Sequence, residues 1–344
     1  MRGIGLLKRW RKYLTMQPLS QTIILVYHRI AQLSTDPQLL AVSPKHFSQH
    51  LEVLRSYYNP ISVMELIEGI KQKKIPDRAV VVTFDDGYRD ALYTADPLLK
   101  KYGIPATLFV TSGYIGSDQE FWWDELERIF LEPGILPNNL ELIIRGKSYM
   151  WKLGKAATYE TTDYEKYCGW TVLEPGAPTS RQAVYRELHS LLRPLGSKER
   201  LNLLLLISDW AGRSRGGRPT HALLGPEELV QFADSHLCEV GAHTLTHPML
   251  AELSEEDQER EIQGSKSHLE RLLGRRITFF SYPYGSLKSY TDVTKIIVQR
   301  SGFTCAFSTI PGKVSDSLDC FGLPRLTVRN WGMDEFARWL RKFH

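Results

Sequence analysis

Short, unbroken apolar runs alternate along this chain with segments whose apolar positions recur every three or four residues. The runs lie at residues 22–27, 79–84, 106–110, 238–242, 278–282, 304–308 and, less clearly, 326–328, each bounded by turn or helix signals. Runs this short and continuous predict strands buried on both faces. Residues 44–57, 89–102, 255–273 and 290–300 carry helical spacing, the third opening on Ser254 as an N-cap before Glu255 and Glu256. Strand and helix alternating in this way predict an α/β fold with a mainly parallel sheet, open or closed into a barrel.

One stretch breaks the rhythm. Residues 117–226 show few clear strands, three predicted helices (122–131, 180–192 and 198–210) and a polar segment rich in Gly and Arg at 213–219. It reads as a mainly helical insertion between two strands of the core. Length alone leaves 344 residues open between one domain and two. Candidate site residues on both sides of the insertion favour one catalytic domain over 20–344, preceded by a basic segment at 1–19.

Composition then removes whole classes. With 42% hydrophobic and 24% charged residues, disorder, collagen and coiled coil are excluded as whole-chain descriptions. The net charge of +4 is spread thinly beyond the first dozen residues, so no nucleic-acid partner follows. The four cysteines lie far apart without metal spacing and neither require nor exclude a bridge. At the N-terminus Lys8, Arg9, Arg11 and Lys12 interrupt the apolar stretch at once, so it does not read as an export signal, and a cytoplasmic location is expected. Residues 1–16 fit either a frayed basic terminus or a short amphipathic helix, with Ile4, Leu7, Trp10 and Leu14 at helical spacing, held peripherally at the inner face of a membrane.

The candidate chemistry clusters at predicted strand ends, where α/β folds place ligands and catalytic groups. The run VVVTFDDGY at 80–88 ends in Asp85, Asp86 and a glycine. Carboxylates projecting in different directions from a turn can divide the work, one holding a metal and the other taking a proton. Alone, the motif is equally an N-cap or an Asp-Gly turn. The run EVGAHTLTHP at 239–248 places His243 and His247 four apart, so that one turn of helix would put both imidazoles on one side. Together the two strand ends offer two His and one Asp with an open position, a hydrolytic or oxygenase metal site. A third run, ITFFSYPYG at 277–285, closes in a turn whose backbone N–H groups can face a ligand.

These three segments, in this order, resemble the TFDDG, H(S/T)xxH and PYG motifs of the polysaccharide deacetylases, the NodB-like carbohydrate esterases. The resemblance extends to VYHR at 26–29, PATLFV at 105–110 and GFTCAF at 302–307, and so covers about residues 20–330. It implies a distorted, partly open (β/α)7 barrel and metal-dependent removal of an acetyl group from a sugar. By resemblance, Asp86, His243 and His247 would bind one divalent ion, zinc or a similar metal, Asp85 would be general base, and the backbone N–H of Tyr284 would hold the oxyanion. The implied partner is an acetylated glycan or its precursor.

The chain also departs from the better-known members. Ser281 stands where their third motif has an Arg that orients the catalytic Asp, and LPRLTV at 323–328 replaces a last motif containing a catalytic His. Arg325, grouped here with the substrate-binding candidates, could supply the missing cation, and His28, at the end of the first strand, the missing acid, as in deacetylases of poly-N-acetylglucosamine. The segment FWWDE at 121–125 bunches aromatics beside a carboxylate, and Trp123 and Asp124 are candidate sugar contacts. Three readings are carried forward: an N-deacetylase of a bacterial surface polysaccharide or its precursor, an O-deacetylase or non-sugar amidohydrolase on the same site, and a catalytically silent glycan-binding protein.

Overall fold

All six residues of Ala79–Phe84 are buried, as a strand covered on both faces requires. This strand lies inside an eight-stranded parallel sheet in the computed structural model, which describes residues 22–213, 216–314 and 319–343. In chain order the strands are β1 (Ile23–Tyr27), β2 (Asn59–Pro60), β3 (Ala79–Phe84), β4 (Ala106–Val110), β5 (Cys238–Ala242), β6 (Phe279–Ser281), β7 (Cys305–Phe307) and β8 (Leu326–Thr327). Their spatial order is β7-β6-β5-β4-β3-β1-β8, with β2 laid on β3.

The sheet curls until its edges meet the same piece of chain. Leu326 pairs with Leu25 of β1, while Leu323, three residues earlier, bridges Phe307 of β7. The Leu323 N–H donates to the Ala306 carbonyl, and the Val328 N–H to the Val26 carbonyl. This is the partly open barrel expected from the sequence, closed by a few backbone bonds and not by a full ladder.

Helices cover the outside where the 3.6-residue spacing placed them: Pro44–Tyr57, Glu255–Leu273 and Asp292–Arg300. The predicted helix at 89–102 divides into a wide turn at Ala91–Ala95 and a helix at Asp96–Tyr102. A further helix, Val63–Gln72, was not anticipated, although Ser62 and Glu65 form a capping box at its start.

The insertion has its own apolar core, built on Trp122–Leu131, Ser180–Leu192 and Ser197–Ala211. It also contains an antiparallel hairpin, Asn139–Ile144 against Lys147–Lys152, which the expectation of a mainly helical insertion did not place. The hairpin turns through Arg145 and Gly146, both with positive φ (48° and 76°), which matches the twist of a two-residue connection. Leu140, Leu142 and Ile144 alternate inward. Two arginines tie the insertion together. Arg181, fully buried, donates to the carbonyls of Gly134, Ala156 and Ala157 at 2.6–2.8 Å, and more distantly to Glu132. Arg218 reaches Glu120, Glu127 and Glu132.

The four cysteines are free thiols. Among the described residues no helix is long and apolar enough to cross a membrane. The amphipathic helix expected within residues 1–16 lies outside the described residues.

Candidate active site

The end of β3 is where the backbone leaves ordinary geometry. Asp86 has φ 79° and Gly87 φ 100°. A side chain on Gly87 would be strained by that φ and would press to 3.1 Å from Val110 Cγ1 on β4. The sharp turn separates the two carboxylates. The Asp85 N–H still pairs with β1 through the Tyr27 carbonyl, while the Asp86 carbonyl accepts from Thr111 N–H at 3.0 Å.

At the end of β5 the two histidines meet by a different route from the one expected. Residues 243–249 are a loop and not a helical turn. Thr244 and His247 sit in the left-handed region at φ 64° and 55°, and the Thr244 hydroxyl accepts the His247 N–H at 3.0 Å. Glu261, from the helix Glu255–Leu273, accepts the N–H groups of Leu245 and Thr246, both at 2.9 Å. The i, i+4 spacing therefore converges through a clamped loop. His243 Nε2 and His247 Nε2 lie 3.6 and 3.4 Å from Asp86 Oδ1.

These three residues fit a metal ion. Asp86 Oδ1 is buried without a hydrogen-bond partner among the described residues. Burial, then the neighbouring Asp85, pushes the Asp86 carboxyl well up, so its charge lacks compensation. Burial pushes both histidines down and keeps their rings neutral, the form that ligates. The Ser281 carbonyl takes His243 Nδ1 at 2.7 Å and leaves Nε2 facing Asp86, the usual outer support of a metal-bound imidazole. Donor separations of 3.4–3.6 Å suit ligands about 2.1 Å from one centre.

Asp85 is held differently. Arg325 binds it through two parallel bonds, Nη1 to Oδ1 at 2.8 Å and Nη2 to Oδ2 at 2.6 Å. The remaining donors of Arg325 go to Thr83 Oγ1, Ser281 Oγ and the Ser308 carbonyl. Ser281 Oγ also lies 3.2 Å from Asp85 Oδ2. Burial alone would raise the Asp85 carboxyl, but Arg325, helped by His243 and His28, overrides it and brings it to about 2. Arg325 is wholly buried, so the expectation that it touches substrate is corrected: its guanidinium is committed to Asp85 from behind. His28 lies near enough to feel Asp85, and burial lowers it to about 4, against the pull of Asp85.

Asp85, Asp86, His28, His243, His247, Tyr284 and Trp123 line one cavity of about 260 Å³ at the C-terminal ends of the strands. Tyr284 has φ 61°, and its ring meets His247 edge-on at 4.7 Å. Trp123 stacks on Phe121 at 4.5 Å, meets His247 at 4.9 Å, and donates its Nε1–H to Tyr88 Oη. Asp124 is a correction. Its carboxylate does not line the cavity and is buried behind it, accepting the Tyr88 hydroxyl at 2.6 Å. Burial raises it to about 8. The adjacent aromatic faces the site while the acid faces the core because neighbouring residues on a helix point about a hundred degrees apart.

Sequence reasoning missed Gln38, His189, Arg193 and Arg329, which line the same cavity. His189 and Arg193 stand four apart at the end of the helix Ser180–Leu192 and are both partly buried, brought to the cavity by helix packing that no local pattern announces.

The family sequence model for polysaccharide deacetylase matches residues 72–136 and 198–306, which include both the Asp85–Asp86 turn and the histidine loop, and the chain belongs to that family. A putative polysaccharide deacetylase of Bacillus subtilis, YxkH, is 33% identical over 108 residues, 31% of this chain and 37% of that protein. The poly-beta-1,6-N-acetyl-D-glucosamine N-deacetylase of Staphylococcus aureus is 34% identical over 79 residues, 23% of this chain and 27% of that protein. The matched stretches thus span about a third of these relatives' length. Among solved structures, the Streptococcus pyogenes deacetylase PplD in complex with acetate superposes with a TM-score of 0.57 over 94% of this chain and 98% of that one, at 19% identity. IcaB from Ammonifex degensii gives 0.56 over 93% and 97%, also at 19%. These likenesses bear on the fold.

Proposed function

We infer that this protein is a metal-dependent N-deacetylase acting on an acetylated sugar of a bacterial surface polysaccharide or its precursor. The observation that carries the reading is the pairing, in one cavity, of a buried Asp86–His243–His247 donor set with a second carboxylate, Asp85, kept ionised by Arg325. Family membership and the staphylococcal relative, whose name specifies an N-acetylated sugar polymer, support the substrate class.

Asp86, His243 and His247 would hold the ion, which when bound polarises the acetyl carbonyl and lowers the pKa of water. The chain's own groups do the rest. Asp85, ionised and fixed by Arg325, accepts the proton of the attacking water. The Tyr284 N–H, at a turn strained into positive φ, is the donor for the developing oxyanion. His28 is neutral at pH 7, so the proton it gives to the leaving nitrogen must reach it during turnover. The proton that Asp85 takes from water is the one passed to His28, which gives it to the more basic leaving amine.

Acetate release from matched N-acetylated and O-acetylated glycans tests the bond. Asp85→Asn is expected to retain bound metal and lose roughly 10²–10⁴-fold in kcat. An Asp85→Asn protein as active as the wild type rules out the base assignment, and a metal-loaded wild type that releases no acetate favours a glycan-binding role.

A further inference from the structure

We propose that the substrate bears a negative charge beside the acetylated position, and that Arg193 and Arg329 are the residues that select it. The inference rests on the deacetylase reading and adds a substrate class to it.

Two guanidinium groups share the cavity with the catalytic residues, and the proposed reaction on a neutral sugar uses neither. Arg193 ends the helix Ser180–Leu192 of the insertion; Arg329 follows β8 of the barrel. They therefore reach the cavity from independent parts of the fold. Neither has a carboxylate within ion-pair distance among the described residues, whereas Arg29, Arg218 and Arg325 all do; Arg329 feels Asp36 only at longer range. The Arg193 guanidinium carbon sits over the Tyr284 ring, 4.3 Å from its centroid, and its Nε is buried without a hydrogen-bond partner among the described residues. Arg329 is half-buried and gives Nη1 to the Leu39 carbonyl.

A partly buried guanidinium without a counter-charge is unfavourable until an anion arrives. The cavity supplies none of its own. Its acids are Asp85 and Asp86. Arg325 answers the first, and the second faces two imidazoles and the ion they would hold. Of the other lining groups, burial lowers His189 to about 3 and leaves it neutral. The unanswered charge is thus positive and sits on side chains whose planar fork matches a carboxylate or a phosphate. Arg193 rests on Tyr284, which in turn packs on His247, so the anion would lie beside the metal-binding residues. A uronic acid next to the acetylated sugar and a phosphate-linked precursor share this chemistry.

The full-length, metal-loaded protein would be assayed for acetate release on three probes: a neutral N-acetylglucosamine oligosaccharide, one with uronic acid residues adjacent to the acetylated sugar, and a nucleoside-diphosphate N-acetylhexosamine. Binding of the same probes to Asp85→Asn would be measured by calorimetry. One charged probe is expected to exceed the neutral one by about tenfold or more in kcat/KM and in affinity, the factor of one charge-assisted bond. Which charged probe does so separates carboxylate from phosphate. In the Arg193→Gln/Arg329→Gln double variant, checked for an unchanged melting profile, the charged-to-neutral ratio should fall by the same factor, mainly through KM. A neutral probe bound and turned over as well as both charged ones, a ratio unchanged in the double variant, or no binding of any probe overturns the proposal. Arg-dependent binding of a charged probe without acetate release leaves anion selection standing and instead removes the deacetylase reading.

Discussion

The barrel and the insertion solve the same problem, a buried core with charges inside it, in opposite ways. The barrel is held by parallel backbone ladders between short apolar strands, and its buried charges gather at the strand ends, where Arg325 answers Asp85. In the insertion the ladders are few, and long polar side chains hold the loops: Arg181 gathers carbonyls from the two loops flanking the hairpin, and Arg218 ties the start of one helix to its end. A ladder spreads its stabilisation over many bonds that no single side chain owns, whereas a hub concentrates it in one residue. The barrel should therefore tolerate loss of its metal-binding side chains structurally while losing function, with the buried Arg325–Asp85 pair as the exception, and the insertion should do the reverse.

The largest expected effect tests the first half. Asp86→Ala should abolish metal retention and reduce acetate release by about 10³-fold or more, while the metal-free variant melts no lower than the metal-free wild type, because an unanswered buried carboxylate has been removed. Metal analysis after gel filtration and a melting curve decide it; a lower melting point would mean that the site stabilises the barrel even when empty.

Next is Arg325→Gln, which strips the counter-charge from a buried carboxylate and should cost about 3–5 kcal/mol. Its pH signature follows from sign. Asp85 lies at about 2 in the folded protein against an ordinary 3.8, so the wild type gains stability that is complete above about pH 4 and lost as pH falls through about 2. Denaturant curves across that window should be flatter for Arg325→Gln. Equal slopes would show that the pair contributes nothing to acid stability.

Arg181→Ala probes the hub, and a loss of about 2–4 kcal/mol is expected from its stranded carbonyls. Calorimetry should show an early transition for the insertion ahead of the barrel. A single transition at the wild-type temperature would erase the contrast between the two regions.

The same contrast explains what was legible in sequence. Barrel strands announce themselves because burial on both faces demands continuous apolar runs, and the chemistry announces itself because strands end abruptly in Asp85–Asp86 and His243. The cation that answers Asp85 was also findable: Arg325 directly precedes the last apolar run. What lay beyond reach depended on three dimensions. His243 and His247 suggested a helical turn by spacing, but a Thr244 hydroxyl and Glu261, distant in sequence, shape a loop instead. Asp124 looked like a sugar contact beside Trp123 until the helix turned it inward to Tyr88. The hairpin at Asn139–Lys152 alternates as it should, but Ile143 and Met150 on its exposed face blur the pattern. Arg193 reaches the cavity only because helix packing delivers it, and no local pattern encodes that.

The segment that closes the barrel has a consequence for synthesis. Arg325 is carried by the strand that enters the sheet last, between the first strand and the seventh. As the chain emerges from the ribosome, the Asp85 turn can form early, but its cation arrives some 240 residues later. Until then the nascent barrel is open along one seam and carries an uncompensated acid at its mouth. Final closure and the arming of Asp85 are thus a single event, so a chain interrupted before this strand leaves an inert barrel and not a partly active one.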